Sequence, residues 1–436
     1  MEKLSNKAYR IRELAIIGMG AAGSMAAIKA SDYFEVDLFD GNEKLGKKIY
    51  ITGKGRCNVT NAVKMPDFMK GIARNPKFLF SALKRFSNED LMAFFKANAC
   101  PLKIERGMRV FPESDRSSDI IKTLEKVLLT KNVNLYKNCK IAGVKLENGI
   151  FRLEPEMENK SFPDKKLYYK RLIIATGGLS YPSTGSKGDG LVWAKNLGHN
   201  IIEMTPSLVG FVLKDSDIKD LTGLSLKNIS LKVKLGKKTW SEFGDLIFTE
   251  KGISGPSVLT MSANISGIDK EKLKGLSLEL DWKPALTHKQ LEDRLQRERK
   301  QAPNRILKSL FASFLPKSAV NVFINRGGFE PYKPFNQMTK DEEERFINLL
   351  KHFKMSYDGD EGFRQAVISR GGIDTKEINP SSMESKICKN LYFCGEIIDV
   401  DGFTGGYNLQ IAFSTGYLAG YSAGNKIKEE RETYND

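Results

Sequence analysis

The pattern between Leu14 and Asp40 narrows the fold of this chain more than any other. Leu14-Ala15-Ile16-Ile17 is a short apolar run suited to a buried strand. Gly18-Met19-Gly20-Ala21-Ala22-Gly23 follows, then good helix formers to Ala30. Phe34 to Phe39 reads as a second strand and ends at Asp40. Strand, glycine turn, helix, strand and acid, in that order, make a βαβ dinucleotide-binding unit. Gly18 permits the tight turn, Gly20 lets a pyrophosphate approach the backbone, and Gly23 lets the helix pack close to the strand. Ala21 and Ala22 open the helix, whose free N–H groups and dipole favour a phosphate. Asp40 can accept hydrogen bonds from a ribose, and it would repel a 2′-phosphate.

Two later segments choose between dinucleotides. Arg171 to Ala175 is a buried strand closed by Thr176-Gly177-Gly178. Leu391-Tyr392-Phe393 is another, leading into Cys394-Gly395-Glu396. Both resemble the flavin-side strands of the glutathione-reductase-like FAD fold, so FAD is the expected cofactor. Gly405, Gly406 and Tyr407 open an apolar helix from about Asn408 to Gly424, whose positive end would face the flavin. No second strand–GxGxxG–helix unit appears, so NAD(P)H as electron donor would dock transiently near the flavin.

Composition excludes several classes. The five cysteines include no C-x-x-C pair, and the three histidines, His199, His288 and His352, are far apart. A disulfide framework, a metal site and a Ser-His-Asp triad are therefore not expected. No run approaches the roughly 18 apolar residues of a membrane helix. Met1 to Arg12 is polar and basic, without a secretory h-region, so a cytoplasmic protein is expected. The net charge of +16 would attract anionic partners. Nucleic acid is one such partner. It is not favoured over a small molecule, because the basic residues are spread along the chain. Oligomeric state is left open.

The character of the chain changes near residue 195 and returns near 370. Residues 208–282 alternate apolar and polar with frequent glycine, and 286–352 are helical and highly charged. The expected fold is α/β. A discontinuous glutathione-reductase-like FAD-binding Rossmann domain covers 1–194 and 371–436. A β-barrel-like domain is inserted at 195–285 and 353–370, and it carries a small helical insert at 286–352.

Four longer motifs sharpen the reading. They are Gly53-Lys54-Gly55-Arg56-Cys57-Asn58-Val59-Thr60-Asn61, the run Thr176 to Ser186, Met383 to Lys386, and Gly395-Glu396 followed by Asp399 to Gly402 and Thr404 to Gln410. In this order they resemble the BaiN-like, or aminoacetone oxidase-like, family of bacterial NAD(P)/FAD-dependent oxidoreductases. The resemblance implies a non-covalent FAD and the nested three-part architecture. It puts Gly55, Arg56, Cys57 and Asn58 near the flavin ring, with Gly405, Gly406, Tyr407 and Asn408 offering backbone N–H groups to it. Glu396 and Asp399 would anchor the ribityl chain or its loop. Lys47 or Lys48 would neutralise the pyrophosphate or be plain surface lysines, and Val144 would lend its backbone to the adenine or be a plain core valine.

Two residues are candidates for chemistry. Cys57 would be reactive if Arg56 lowered its pKa, although packing is the commoner role of a lone cysteine. Tyr181 could donate a proton to a substrate, or simply brace the turn at Pro182. The expected function is hydride transfer through flavin to or from a small or medium organic molecule, with the cofactor carrying the chemistry. The alternatives are a tRNA-modifying flavoprotein and a non-catalytic FAD-binding scaffold or sensor.

Overall fold

The computed structural model describes residues 10–156 and 166–435. It divides into two compact units, one of residues 1–206 and 367–436 and the other of residues 207–366.

The first unit is built on a seven-stranded sheet. Val133–Tyr136, Val36–Phe39, Ile11–Ile17, Leu167–Ile174 and Leu391–Phe393 run parallel in that order. Ile150–Pro155 pairs antiparallel with the start of Leu167–Ile174 and with Ile141–Glu147. The central strands are nearly continuous Ile, Leu, Val and Ala because both faces are covered. Asn148 and Gly149, both at positive φ, close the Ile141–Glu147 and Ile150–Pro155 hairpin.

Chain ends far apart in sequence meet in this unit. The glycine-turn helix Ala21–Ala30 lies against the C-terminal helix Tyr407–Asn435. A Cβ on Gly416 would stand 2.2 Å from the Ala22 carbonyl oxygen, and one on Gly420 would stand 2.2 Å from that of Ala26. The backbones touch, so these two helices and their sheet form one core. No described helix is long and apolar enough to cross a membrane.

The second unit is a closed six-stranded barrel, in the order Phe211–Leu213, Gly252–Ser254, Lys238–Phe248, Ser225–Leu235, Ser277–Asp281 and Phe353–Asp360. Helices between the last two strands, His288–Gln301 to Lys340–Lys351, share the barrel's core through Trp282, Phe311, Phe323, Phe346 and Phe353. Closure removes the sheet's edges.

The Rossmann fold and the inserted barrel agree with the sequence reading, while the boundaries differ. Asp189–Asn196 and all but the last residue of Ile201–Ser207 stay with the first unit, because the latter strand pairs with the returning strand Ile368–Ile373. The insert thus spans 207–366 rather than 195–370. Its helices form one unit with the barrel, and 256–265, inside the expected β-region, is helical.

Candidate functional site

The glycine turn shows what each of its positions must accommodate. Gly18 sits at φ +111°, and a Cβ there would lie 2.4 Å from the Ala175 carbonyl oxygen. A Cβ on Gly23 would lie 1.8 Å from the Gly18 oxygen. Protein alone therefore excludes side chains at both. A Cβ on Gly20 would meet nothing within 4 Å. Gly20 caps the helix Ala21–Ala30 without any side-chain cap, so the first-turn N–H groups remain available to a ligand.

That opening belongs to a cleft of about 340 Å³ within the first unit. At one end Asp40 closes the second strand. Its carboxylate accepts from Met19 N at 2.7 Å and from Asn42 N at 2.7 Å. Asn42 Nδ2 also donates to Thr184 O at 3.0 Å, which brings the 176–187 segment along the wall. Thr176 Oγ1, in the same wall, is buried without a hydrogen-bond partner. Buried polar atoms seldom stay unpaired, so a bare glycine cradle beside an unpaired hydroxyl suits a polar, phosphate-bearing ligand.

Further along the same segment a charged knot forms. Lys48, on the helix Lys47–Ile51, donates to Ser180 Oγ and Glu396 Oε2. Ser180 Oγ donates to Glu396 Oε1 at 2.6 Å, and Ser369 N donates to the same oxygen at 2.8 Å. Ser369 Oγ in turn accepts from Leu179 N and Ser180 N, at 2.8 and 2.9 Å. Lys48, Ser369 and Glu396 all line the cleft. The sequence offered no signal for Ser180 or Ser369 beyond the 176–186 motif, because four separate segments supply the knot.

Many expected residues meet at this cleft. Gly18, Gly20, Ala21, Ala22, Asp40 and Lys47 line it, as do Thr176, Gly177, Gly395, Glu396 and Asn408. Gly23 and Gly178 lie just behind, the latter with room for no Cβ beside Ser369 Oγ. Val144 does not reach the wall. Its side chain is buried, and the same stretch of chain faces the cleft through Cys139, Lys140 and Ile141, ahead of a register shift between Ile141 and Gly143.

The 53–61 loop is engaged elsewhere. Arg56 pairs with Glu105 and Asp115 and lies 4.2 Å over the Phe111 ring. Gly55 is exposed, and Asn58 Oδ1 is buried without a partner. Cys57 is fully buried at φ +61°, and burial pushes its thiol well above the ordinary range. A reactive thiolate needs the opposite environment, and the cation meant to lower its pKa is committed to two carboxylates.

The C-terminal motif is similarly divided. Asp399 holds Arg74 at 2.6 Å and Asn75 Nδ2 at 3.2 Å, outside the cleft. Gly405 O accepts from Asn61 Nδ2 at 3.1 Å. A Cβ on Gly406 would meet Thr60 O at 2.3 Å, and the Tyr407 ring packs edge-on against Phe68. These three brace the helix start, while Asn408 brackets Gly402 through its N at 2.8 Å and its O at 2.7 Å. Tyr181, half-buried at φ +49°, starts the turn Pro182–Thr184 and is not among the cleft-lining residues.

A parallel sheet with a ligand cleft at the strand ends beside a glycine turn defines the Rossmann-type FAD-binding α/β fold. Residues 12–422 match the model of the HI0933-like protein Rossmann domain, and the chain belongs to that family. It is 30% identical over 421 residues to a ribosomal RNA dihydrouridine synthase of Haemophilus influenzae, covering 93% of this chain and 97% of that one. It is 29% identical over 421 residues to a 3-dehydro-bile acid delta(4,6)-reductase of Clostridium scindens, covering 95% and 100%. Among solved structures, 3-ketosteroid delta1-dehydrogenase from Sterolibacterium denitrificans shares the fold, with a TM-score of 0.50 and 12% identity over 95% of this chain and 100% of that one.

Proposed function

We propose that the chain is an FAD-dependent reductase that saturates a carbon–carbon double bond conjugated with a carbonyl. The glycine cradle carries the reading, because protein fills the space at Gly18 and Gly23 and leaves it open at Gly20. The FAD pyrophosphate suits that opening, Asp40 suits the adenosine ribose, and Lys47 can neutralise phosphate charge. Thr176, Gly177, Gly395, Glu396 and Asn408 would hold the flavin-bearing half. Bound FAD supplies hydride transfer, and the protein supplies orientation and charge. Of the residues named from the sequence, Cys57 and Tyr181 have no part in the proposed chemistry, and NADH or NADPH is the proposed transient donor.

The relatives' names support the bond class. A 3-dehydro Δ4,6 bile acid has double bonds conjugated with its C3 carbonyl, and dihydrouridine is uridine saturated beside its C4 carbonyl. Both reductions place hydride on the carbon remote from the carbonyl and a proton on its neighbour. Between these substrates a uracil base in RNA leads, because relatives in two organisms are named for ribosomal RNA. The net charge of +16, though spread along the chain, is compatible with RNA phosphates. A steroid-like substrate, of the kind named for the Clostridium scindens relative, is the second reading.

The test is to reduce the FAD-loaded protein anaerobically with NADH or NADPH. It is then given ribosomal RNA lacking dihydrouridine, or a 3-oxo-Δ4,6 steroid. A mass gain of two hydrogens per modified base, weakening as salt rises, supports the RNA reading. Loss of the dienone absorbance supports the steroid reading. A reduced flavoprotein that transfers hydride to neither overturns the proposal.

A further inference from the structure

Lys48 occupies an unusual place in the cleft wall. Its side chain is 28% exposed and that of Glu396 is 18% exposed, so both charges are largely withdrawn from water while still facing the cavity. A lysine loses substantial rotamer freedom when fixed, yet this one is held by Ser180 and Glu396 together. Glu396 is itself fixed by Ser180 Oγ and Ser369 N, and Ser369 by two backbone donors. The helix Lys47–Ile51, the loop after Leu167–Ile174 and the turn after Leu391–Phe393 meet at one ammonium group, and the strand Ile368–Ile373 fixes the Glu396 and Ser180 that hold it. A structural ion pair would gain nothing from facing the cavity. The 176–187 segment gives the direction, since Thr184 meets Asn42 beside Asp40 at the proposed ribose end, whereas Ser180 meets Lys48 farther along.

We propose that Lys48, held by Glu396 and Ser180, is a positioning residue that sets the electrical environment of the flavin half of the cofactor and raises its reduction potential. The proposal rests on the reading of the cleft as an FAD site. Reduction adds negative charge to the flavin, and charge near the ring is one of the protein's means of tuning it. A fixed cation in a wall of low dielectric acts more strongly than one in water. Glu396 opposes that field while fixing its source, so the two residues have opposite signs of effect.

The test compares wild type with Lys48→Met, Lys48→Arg and Glu396→Gln, each loaded with FAD and checked for stoichiometry and melting temperature. The two-electron midpoint potential is read against a redox dye. Lys48→Met is expected to lower the equilibrium constant for reduction at least tenfold, about 30 mV for a two-electron couple. Lys48→Arg should restore most of it, and Glu396→Gln should shift it upward. Should Lys48→Met fail to hold FAD, the upward shift in Glu396→Gln carries the test alone. FAD-loaded variants with unchanged potentials, or with Lys48→Met and Glu396→Gln shifted in the same direction, would overturn the proposal and leave the FAD reading intact. A wild-type protein that takes up no FAD would instead overturn the cofactor reading.

Discussion

The 18–23 turn and the 53–61 loop are both glycine-rich, and both read in sequence as cofactor loops, but they are held in different ways. In the turn, backbone meets backbone, and one position is left open toward a cleft. In the loop, side chains do the holding. Thr60 Oγ1 donates to Gln410, Asn61 ties Gly107 O to Gly405 O, and Arg56 spans Glu105 and Asp115. The first segment is shaped to receive something from outside the protein. Most of the second is shaped to join the first unit's early and late segments.

Substitutions can break or sharpen that contrast. The largest effect is expected from Gly23→Val, whose side chain would start 1.8 Å from the Gly18 oxygen. It should cost about 3 kcal/mol or more, read as a lower denaturant midpoint. Asn61→Ala comes next. It removes the donor to Gly107 O and Gly405 O from a site only 3% exposed, and should cost about 2 kcal/mol. If Asn61→Ala left stability unchanged but abolished FAD uptake, the assignment of this loop to bracing would fail.

Cys57 gives a subtler test. Burial raises its folded-state pKa above the ordinary 9.0, so the folded protein holds that proton more tightly than the unfolded chain does. Its contribution to stability is whole below about pH 9 and is lost as pH rises above it. Labelling with a thiol reagent near neutral pH should proceed at this site only as fast as the protein opens. Fast stoichiometric labelling of native protein at Cys57 would contradict its burial. The smallest effect belongs to Arg56→Gln, since exposed ion pairs contribute little. Melting temperature and the visible flavin spectrum should barely change.

The sequence made some of this legible and hid the rest for physical reasons. The cradle was legible because its geometry is local: three glycines in six residues, then Asp40 at the strand end. The knot of Lys48, Ser180, Ser369 and Glu396 was not, because its members lie up to 348 residues apart and meet only through the sheet topology. For Val144 the sequence left a backbone contact to adenine and a plain core valine both open, and only the fold shows its side chain buried while Ile141 lines the cleft. The insert's start was read too early because the strand Ile201–Ser207 resembles the barrel strands in composition yet pairs with Ile368–Ile373.

The central claim is that Gly20 is kept bare for the cofactor rather than for the protein. The most direct test measures FAD affinity and melting temperature side by side for wild type and Gly20→Val. The account predicts a melting temperature close to wild type and an FAD affinity reduced by more than about tenfold, roughly 1.4 kcal/mol. A Gly20→Val protein that binds FAD as tightly as wild type would contradict it.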